Sequence, residues 1–452
     1  MSTCKRVSKL TGPIFKLTAL ALAFAPAAAL ATNGYFQHGY GMKAKGMAGA
    51  ATATAIDTFG GAVNPAKMVW VGDRIDFGAD VFMPRRSASR EGLAGPMAGY
   101  NGSSNSGSGT FYIPEFGYNK LINPNLSLGV TVYGNGGMNT DYNPGLNGGA
   151  AAPAFAPSCA GAPSNILFGC GKLGVDLMQL IIAPTIAYKL NANHSIGVSP
   201  LFGYQRFKVD GLQAFDEMGF TSSRGNTTNR GYDDATGWGV RVGWMGKLSD
   251  TVTLGAAYSS KMRMGKFDKY KGLFAEQGDF DIPENYNVGI AVKATPKMTV
   301  AFDIQQINYS GVKSVANGVM NSLLAPPADP LGSATGSGFK WRDQTAFKLG
   351  LEYEYSKDLA LRAGYNYGKS PVRGDQDSVS FNIIAPGVVE QHLTLGATWT
   401  LANKAELTVS YMHAFRNSVT GPSATSLLGI GNSNETLKMY QNSIGIAYGW
   451  KM

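Results

Sequence analysis

The sequence contains little of what enzymatic or metal chemistry would need. Among 452 residues there are four histidines and three cysteines. The histidines lie far apart in the chain, so none has metal-ligand spacing, and no motif joins one to a catalytic serine and aspartate. No glycine-rich phosphate loop ending in Lys-Ser or Lys-Thr is present either. We therefore expect neither an enzyme nor a protein with a bound metal or cofactor.

Charged residues are also scarce, at 15% of the chain, and the formal net charge is +9. The first 31 residues carry four positive charges and no negative one. Their apolar stretch from Leu17 to Leu30 ends in Ala29-Leu30-Ala31, which fits a signal-peptidase site, so residues 1–31 are predicted to be a signal peptide. Removing it leaves a charge of +5, which gives little reason to expect nucleic acid as a partner.

The mature chain lacks an uninterrupted apolar run of the about 20 residues that a membrane helix needs. It is instead rich in glycine and aromatic residues, with 59 Gly, 22 Phe and 21 Tyr. Many short segments alternate in polarity, and the first of them places on one side Ile75, Phe77, Ala79, Val81 and Met83. Such strands, separated by polar turns, are typical of outer-membrane β-barrels, whose apolar side faces lipid. A secreted soluble β-protein is the alternative.

Tight turns and long loops alternate along the chain. The turns fall at 122–125, 191–194, 248–250, 295–297, 356–358 and 402–404, and the loops at roughly 87–109, 138–171, 211–230, 266–283, 312–338, 371–388 and 420–435. Short turns on one rim and long loops on the other are typical of bacterial outer-membrane barrels. The count predicts an all-β fold, a 14-stranded antiparallel transmembrane barrel over residues 74–452, with both termini at the periplasmic rim.

Residues 32–73, ahead of the first strand, show no period-2 alternation and consist largely of glycine and alanine. Asn64 has the features of a helix N-cap, with Pro65 at the first helical position and Ala66 after it. Small residues allow tight packing inside another structure. We therefore predict a mostly helical N-terminal plug, or hatch, within the barrel.

Two further features interrupt the regular pattern. The strand that begins at Leu126 contains Gly134, Gly136 and Gly137, and three glycines in four residues predict a bulge or kink.

Cys159 and Cys170 lie close together in a segment rich in glycine, alanine and proline. In an exported chain such a pair predicts a disulfide that tethers a loop, and no histidine lies nearby to suggest a metal site.

Four places in this pattern resemble the FadL family of outer-membrane long-chain fatty acid transporters, which also includes aromatic-hydrocarbon uptake proteins. They are Asn64-Pro65-Ala66, the interrupted strand with Asn139-Thr140-Asp141-Tyr142, the run from Trp341 through Leu361-Arg362-Ala363-Gly364-Tyr365 to Ser370-Pro371-Val372, and Val409-Ser410-Tyr411-Met412-His413. The resemblance implies a monomeric outer-membrane barrel closed by its hatch. Long-chain fatty acids or hydrocarbons would pass through it by passive diffusion and leave laterally through the wall at the three glycines. A general porin or a structural outer-membrane protein is the alternative.

The predicted loops carry more apolar side chains than a polar pore needs. Leu212 and Phe215 lie in one loop, and Leu273 and Phe274 in the next. Exposed apolar clusters usually mark a binding surface, so these residues, with Phe36 near the tip of the plug, are candidate ligand contacts. Packing of the loops against lipopolysaccharide or one another is the alternative.

A ligand carboxylate would need a cation as its partner. Alternation places Arg342 on the lumen side of the barrel, near the outer rim. Arg206 occupies a position where the family tends to have a basic residue, although its parity groups it with an apolar face. An interior ion pair, for instance with Asp303 or Glu352, is the alternative role for such cations. Outer-membrane lipids and lipopolysaccharide are the other expected partners.

Overall fold

The computed structural model of the protein describes residues 33–145, 150–324 and 329–452. The predicted signal peptide, 1–31, lies outside the described residues. Within the described ranges, no helix has the length and apolar character to cross a membrane.

The chain forms one antiparallel sheet in which neighbouring strands follow one another in sequence and the last strand pairs with the first. Its strands are β1 Arg74–Glu91, β2 Gly102–Asn105, β3 Phe111–Asn123, β4 Leu126–Asn139, β5 Gly174–Lys189, β6 His194–Asp210, β7 Asp233–Lys247, β8 Val252–Ser259, β9 Arg263–Met264, β10 Asn285–Thr295, β11 Met298–Ile307, β12 Gln344–Ser356, β13 Leu359–Gly368, β14 Gln391–Thr400, β15 Glu406–Pro422 and β16 Asn434–Lys451. Short β2 pairs with β1, and short β9 pairs with β7. The other fourteen strands close the wall, which confirms the predicted 14-stranded barrel.

Alternating polarity explains why these segments form the wall. In β12, Thr345, Phe347 and Leu349 are exposed on the outer face, whereas Ala346 and Lys348 are buried on the inner face. Successive side chains of a strand point to opposite faces, so a period-2 sequence places its apolar residues toward lipid and its polar residues inside.

The connections differ in length between the two rims. Tight turns join β3 to β4, β5 to β6 and each later pair on one rim, here called the turn rim. Long connections on the opposite rim, the loop rim, contain the helices α3 Gln213–Glu217, α4 Ala275–Gly278, α5 Lys313–Ala316 and α6 Met320–Leu323. They also contain the 3₁₀ turns Gly95–Tyr100, Pro157–Cys159, Asp268–Tyr270, Tyr309–Gly311, Phe381–Ile383 and Ala424–Ser426.

Residues 33–73 precede the first strand, and most of their side chains are buried. They form helices α1 Met42–Gly46 and α2 Met68–Val71 and the 3₁₀ turns Phe59–Ala62 and Pro65–Lys67. The rest of the segment is irregular, so the prediction of a mostly helical segment is wrong. Gly41, before α1, has a φ of 83°, and Gly49, after it, has a φ of 84°. Both values lie in the left-handed region, which ends a right-handed helix, so α1 is little more than one turn long.

Candidate functional site

An apolar cavity lies beneath the loops of the loop rim. Leu212 and Phe215 reach it from α3 and the residue before it, Leu273 and Phe274 from the segment before α4, and Phe207 from the end of β6. The space between these side chains, open solvent at its mouth included, is about 480 Å³. Four of the predicted ligand contacts therefore line one cavity. The other lining residues are Leu167, Val175, Ser314, Leu331, Ser337, Gly338, Phe339, Phe381 and Ile384.

Aromatic contacts fix the shape of this cavity. The ring centroid of Phe207 lies 4.6 Å from that of Phe274, and Phe274 in turn lies 4.9 Å from Phe280. On the other side, Phe215 meets Phe381 edge-on at 5.4 Å. Tilted and edge-to-face pairs are favourable arrangements of aromatic rings. The loops after β6, β8 and β13 are thus held together by the side chains that line the cavity.

The cavity offers a ligand almost no polar partner. Its two hydroxyl groups already donate to carbonyl oxygens, Ser314 Oγ to Asp279 at 2.5 Å and Ser337 Oγ to Val319 at 2.8 Å. Among the described residues, no charged side chain lines the space. Burying a carboxylate without a partner is costly, whereas an apolar ligand loses nothing on entry. The cavity is therefore suited to an uncharged, apolar molecule.

The two predicted cations do not reach the cavity. Arg206 lies on the outer face of β6, where its guanidinium stacks 3.8 Å from the ring centroid of Tyr232 and its Nε is 3.8 Å from Asp234. Arg342 donates from Nε and Nη2 to the carbonyl oxygen of Ser370, at 2.9 and 2.6 Å. Arg342 precedes β12, which begins at Gln344, so the alternation of that strand does not extend to it.

Phe36 belongs to an aromatic cluster below the cavity instead of lining it. The cluster contains Tyr35, Tyr309 and Trp341, with ring centroids 5.3 Å apart for Tyr35 and Tyr309 and 5.1 Å for Tyr309 and Trp341. The Tyr309 hydroxyl accepts from Tyr35 N at 3.2 Å and donates to Asn33 O at 2.6 Å. Burial raises the pKa of Tyr309 well above its usual value, so the phenol remains a neutral donor.

Trp341 is a buried residue that alternation does not predict, because it has the same parity as Thr345 and Phe347 on the outer face of β12. It is 3% exposed and its Nε1 donates to Asn382 at 2.5 Å. The alternation of β12 does not extend to it, because the chain at Trp341 is still an irregular connection. No pattern in the sequence marks that boundary.

The predicted bulge in the third strand of the wall, β4, is present. Its register with β5 shifts between Gly134 and Gly136. On the other side, the ladder between β3 and β4 ends where Phe116 pairs with Val132. Above that point, β4 continues to Asn139 and β3 to Phe111, but in the described part of the chain no ladder joins the two strands there.

Residues 35–37 occupy the inner side of this break. Gly137 N donates to Tyr35 O at 3.1 Å, Gln37 N donates to Asn135 O at 3.3 Å, and Phe36 forms an isolated bridge with Gly136. A Cβ atom at Gly136 would lie 1.7 Å from Tyr35 O, so only glycine allows this approach. The three predicted glycines and Phe36 are therefore brought together.

Buried carboxylates of the wall hold the middle of the N-terminal segment. Asp303 of β11 accepts from Ala51 N at 2.8 Å, Thr52 N at 2.9 Å and Thr52 Oγ1 at 2.7 Å. Lys45 Nζ lies 2.8 Å from Asp80 of β1. Charged acceptors make the stronger hydrogen bonds, so these contacts fix the segment against distant strands.

Asn64, Pro65 and Ala66 attach the same segment to β6 and β7. Asn64 Nδ2 donates to Thr52 O and to Trp244 O, both at 2.9 Å, and Asn64 Oδ1 accepts from Ala66 N at 3.1 Å. Asn64 thus caps the 3₁₀ turn that begins at Pro65. This side chain joins two parts of the segment to the wall.

A disulfide between Cys159 and Cys170 closes a loop beside the cavity, with a Cα–Cα distance of 5.6 Å. Within this loop, Leu167 lines the cavity and the ring of Phe168 lies 4.5 Å from the Arg90 guanidinium. The disulfide therefore restrains a segment that contributes directly to the cavity wall.

Comparison with known proteins places this geometry in a family. The family model described as outer membrane protein transport protein (OMPP1/FadL/TodX) matches residues 170–449. No curated protein sequence matches the chain. Among solved structures, the toluene transporter TodX of Pseudomonas putida is 17% identical, with a TM-score of 0.67, covering 92% of this chain and 99% of TodX.

Two other structures share the fold. A FadL homologue of Pseudomonas aeruginosa is 14% identical, with a TM-score of 0.66 and coverage of 94% of this chain and 100% of the homologue. The Ralstonia pickettii toluene transporter TbuX is 18% identical, with a TM-score of 0.61 and coverage of 92% and 99%. Because the family model matches more than half of the chain, this barrel belongs to the OMPP1/FadL/TodX family of outer membrane transport proteins.

Proposed function

We propose that the barrel takes up uncharged apolar compounds, monoaromatic hydrocarbons above all, by passive diffusion across the outer membrane as a monomer. The observation that carries this proposal is the apolar cavity under the loops, which five phenylalanines line and no charged side chain of the described residues enters. Such a cavity suits the capture of an apolar molecule from the external side.

The lining favours hydrocarbons over long-chain fatty acids, which the sequence resemblance placed first. A fatty acid is ionised at neutral pH, and its carboxylate would need a cation in the cavity. Arg206 and Arg342 both lie elsewhere and already have partners. The toluene transporters TodX and TbuX, which share this fold, are consistent with the hydrocarbon proposal.

We further propose that residues 32–73 are the hatch of a barrel formed by residues 74–452. The contacts of Asp303, Lys45 and Asn64 support a segment that closes the lumen. A general porin, the alternative function, would not need a segment of this length fixed across its lumen.

For release, we propose a lateral route through the wall between β3 and β4. The ladder between these strands ends at Phe116 and Val132, and residues 35–37 fill the inner side of the break. Displacing these residues would open a path from the lumen to the lipid. Such a path keeps an apolar ligand out of water. Transfer from water to an apolar environment is favourable by about 0.8 kcal/mol per CH₂ group, so the route through lipid is preferred.

The substrate class can be tested by adding a cation to the cavity. Leu273 lines the cavity but its side chain is only partly buried. A lysine at this position could keep its ammonium group hydrated, so Leu273→Lys should be tolerated. We expect the wild type to bind toluene more tightly than a long-chain fatty acid, and Leu273→Lys to reverse this preference. Leu273→Met, which nearly conserves the side-chain volume, is the matched control and should behave as the wild type.

Isothermal titration of purified protein in detergent would measure both ligands. Tight binding of the fatty acid and none of toluene by the wild type would refute the hydrocarbon proposal. Conductance in planar bilayers tests the porin alternative separately, because a closed transporter should pass negligible current. A large, steady conductance would favour the porin.

A further inference from the structure

A groove on the outer face of the barrel has no part in the proposed uptake path. It is bordered by Leu180 and Ile182 of β5, Phe202 of β6 and Trp238 of β7. Phe202 and Trp238 are 53% and 66% exposed. The space, largely open on its outer side, is about 1010 Å³, and none of its residues lines the cavity under the loops.

The groove forms where β7 changes its pairing partner from β8 to β9. β8 stops at Ser259, and the upper part of β7 pairs instead with short β9. Gly203 and Gly237 allow the Met264 side chain to approach, since a Cβ on either would lie 3.2 or 2.4 Å from the Met264 sulfur. Both glycines face the lumen, so Met264 packs on the inner side of the wall, and the larger side chains of β5, β6 and β7 border the groove on the outer side.

The groove lies at the level of the outer lipid headgroups. Trp238 is about nine residues along β7 from Lys247 at the turn rim. At about 3.3 Å per residue and a strand tilt of about 35–45°, this corresponds to a height of about 21–24 Å. The apolar band of such barrels is about 25 Å tall, so Trp238 marks its outer boundary.

An arginine faces the lipid at this boundary without a carboxylate partner. Arg263 pairs with Trp238 in the register of β7 and β9, so the two side chains share the outer face. Arg263 is exposed, and within the described ranges it forms no ion pair. The neighbouring cations, in contrast, have carboxylate partners: Arg206 lies 3.8 Å from Asp234 and Lys208 lies 3.5 Å from Asp210.

We propose that this groove binds lipopolysaccharide, with an acyl chain along Phe202 and Trp238 and a lipid phosphate on Arg263. Charge complementarity supports this occupant, because a guanidinium binds phosphate through two parallel hydrogen bonds. The apolar side chains of the groove and the cation at its side match the two parts of a phosphorylated lipid of the outer leaflet. The proposal is independent of the transported substrate.

Native mass spectrometry of the full-length protein in detergent would test the site, with lipid A as the probe. The wild type should retain lipid A, and Arg263→Ala should lower its affinity at least tenfold. Trp238→Ala should also weaken binding, and Arg263→Lys should keep part of it. Arg416→Ala is the matched control, since Arg416 is an exposed arginine of β15 stacked 5.2 Å from Tyr440.

Lipid A without its phosphates should bind the wild type as weakly as intact lipid A binds Arg263→Ala. Equal affinity of wild type and Arg263→Ala for lipid A would overturn the proposal. It would also be overturned if phosphatidylglycerol or inorganic phosphate displaced lipid A at equal concentration. A shift from dimer to monomer in Trp238→Ala would identify a second copy as the occupant and would likewise overturn it. Heat-modifiable migration on gels verifies that each variant is a folded barrel.

Discussion

Replacing Gly136 with alanine should release residues 35–37 from the wall. The new Cβ atom would lie 1.7 Å from Tyr35 O and 2.8 Å from Tyr35 C, and neither backbone atom can rotate away as a side chain could. Ordinary contacts of this kind begin at about 3.4 Å, so the backbone of the segment must move by well over an ångström.

The cost of that movement follows from the hydrogen bonds that it breaks. Gly137 N to Tyr35 O and Gln37 N to Asn135 O are the two backbone hydrogen bonds at this site. At about 1 kcal/mol net for each bond, breaking both disfavours the docked position by about 2 kcal/mol. Since about 1.4 kcal/mol corresponds to a tenfold change, the undocked population should rise about 30-fold.

Cysteine labelling would measure this population. Asn33→Cys places a thiol at a fully buried position beside the aromatic cluster, where a maleimide reacts only when the segment opens. The labelling rate should rise about 30-fold when Gly136→Ala is added. Gly311→Ala is the control, because a Cβ there meets open space. If Gly136→Ala and Gly311→Ala label at the same rate, the close contact at Gly136 does not hold the segment.

Three further predictions concern other parts of the molecule. Asp303→Ala removes three hydrogen bonds to Ala51 and Thr52 and so loosens the N-terminal segment from the wall. The conductance of planar bilayers should therefore rise above the wild-type level. Unchanged conductance would mean that the other contacts of the segment hold it in place. Replacing both disulfide cysteines with serine should destabilise the loop by about 2–4 kcal/mol and increase its cleavage by proteases, and equal cleavage would contradict a restraining role. Burial, aided by nearby carboxylates, raises the pKa of Asp279 to about 6. The folded state therefore binds the proton more tightly, and the contribution of Asp279 to thermal stability should be lost as pH rises from about 4 to about 6, so the fall in stability over this range should be smaller in Asp279→Asn than in the wild type.

The barrel was predictable because each strand repeats the same physical pattern. In β13, Leu361 and Tyr365 are exposed while Arg362 and Asn366 are buried, and similar alternation recurs between the tight turns. Period-2 polarity and turn length are local properties, so a single sequence contains them in full.

The site was predictable only in part, because it depends on which loops meet. Apolar clustering identified Leu212, Phe215, Leu273 and Phe274, and the structure brings these side chains together. Nothing in the sequence indicates that Phe381, from the loop after β13, joins them at 5.4 Å from Phe215. Contacts between distant loops are set by the closed barrel, which positions the ends of β6, β8 and β13 around one opening.

Glycines of the barrel wall lie where the backbone of the N-terminal segment contacts the strands. Glycine weakens a strand, yet β6 has Gly197 and β8 has Gly255 within the barrel. A Cβ at Gly197 would lie 2.5 Å from the carbonyl carbon of Pro65, and one at Gly255 would lie 2.3 Å from Thr52 O. The backbone of the segment therefore rests directly on the backbone of the wall at several strands. Withdrawing the whole segment would break all of these contacts at once, whereas displacing residues 35–37 breaks only those at the β4 bulge. We accordingly expect opening to be confined to these residues while the rest of the segment stays in place.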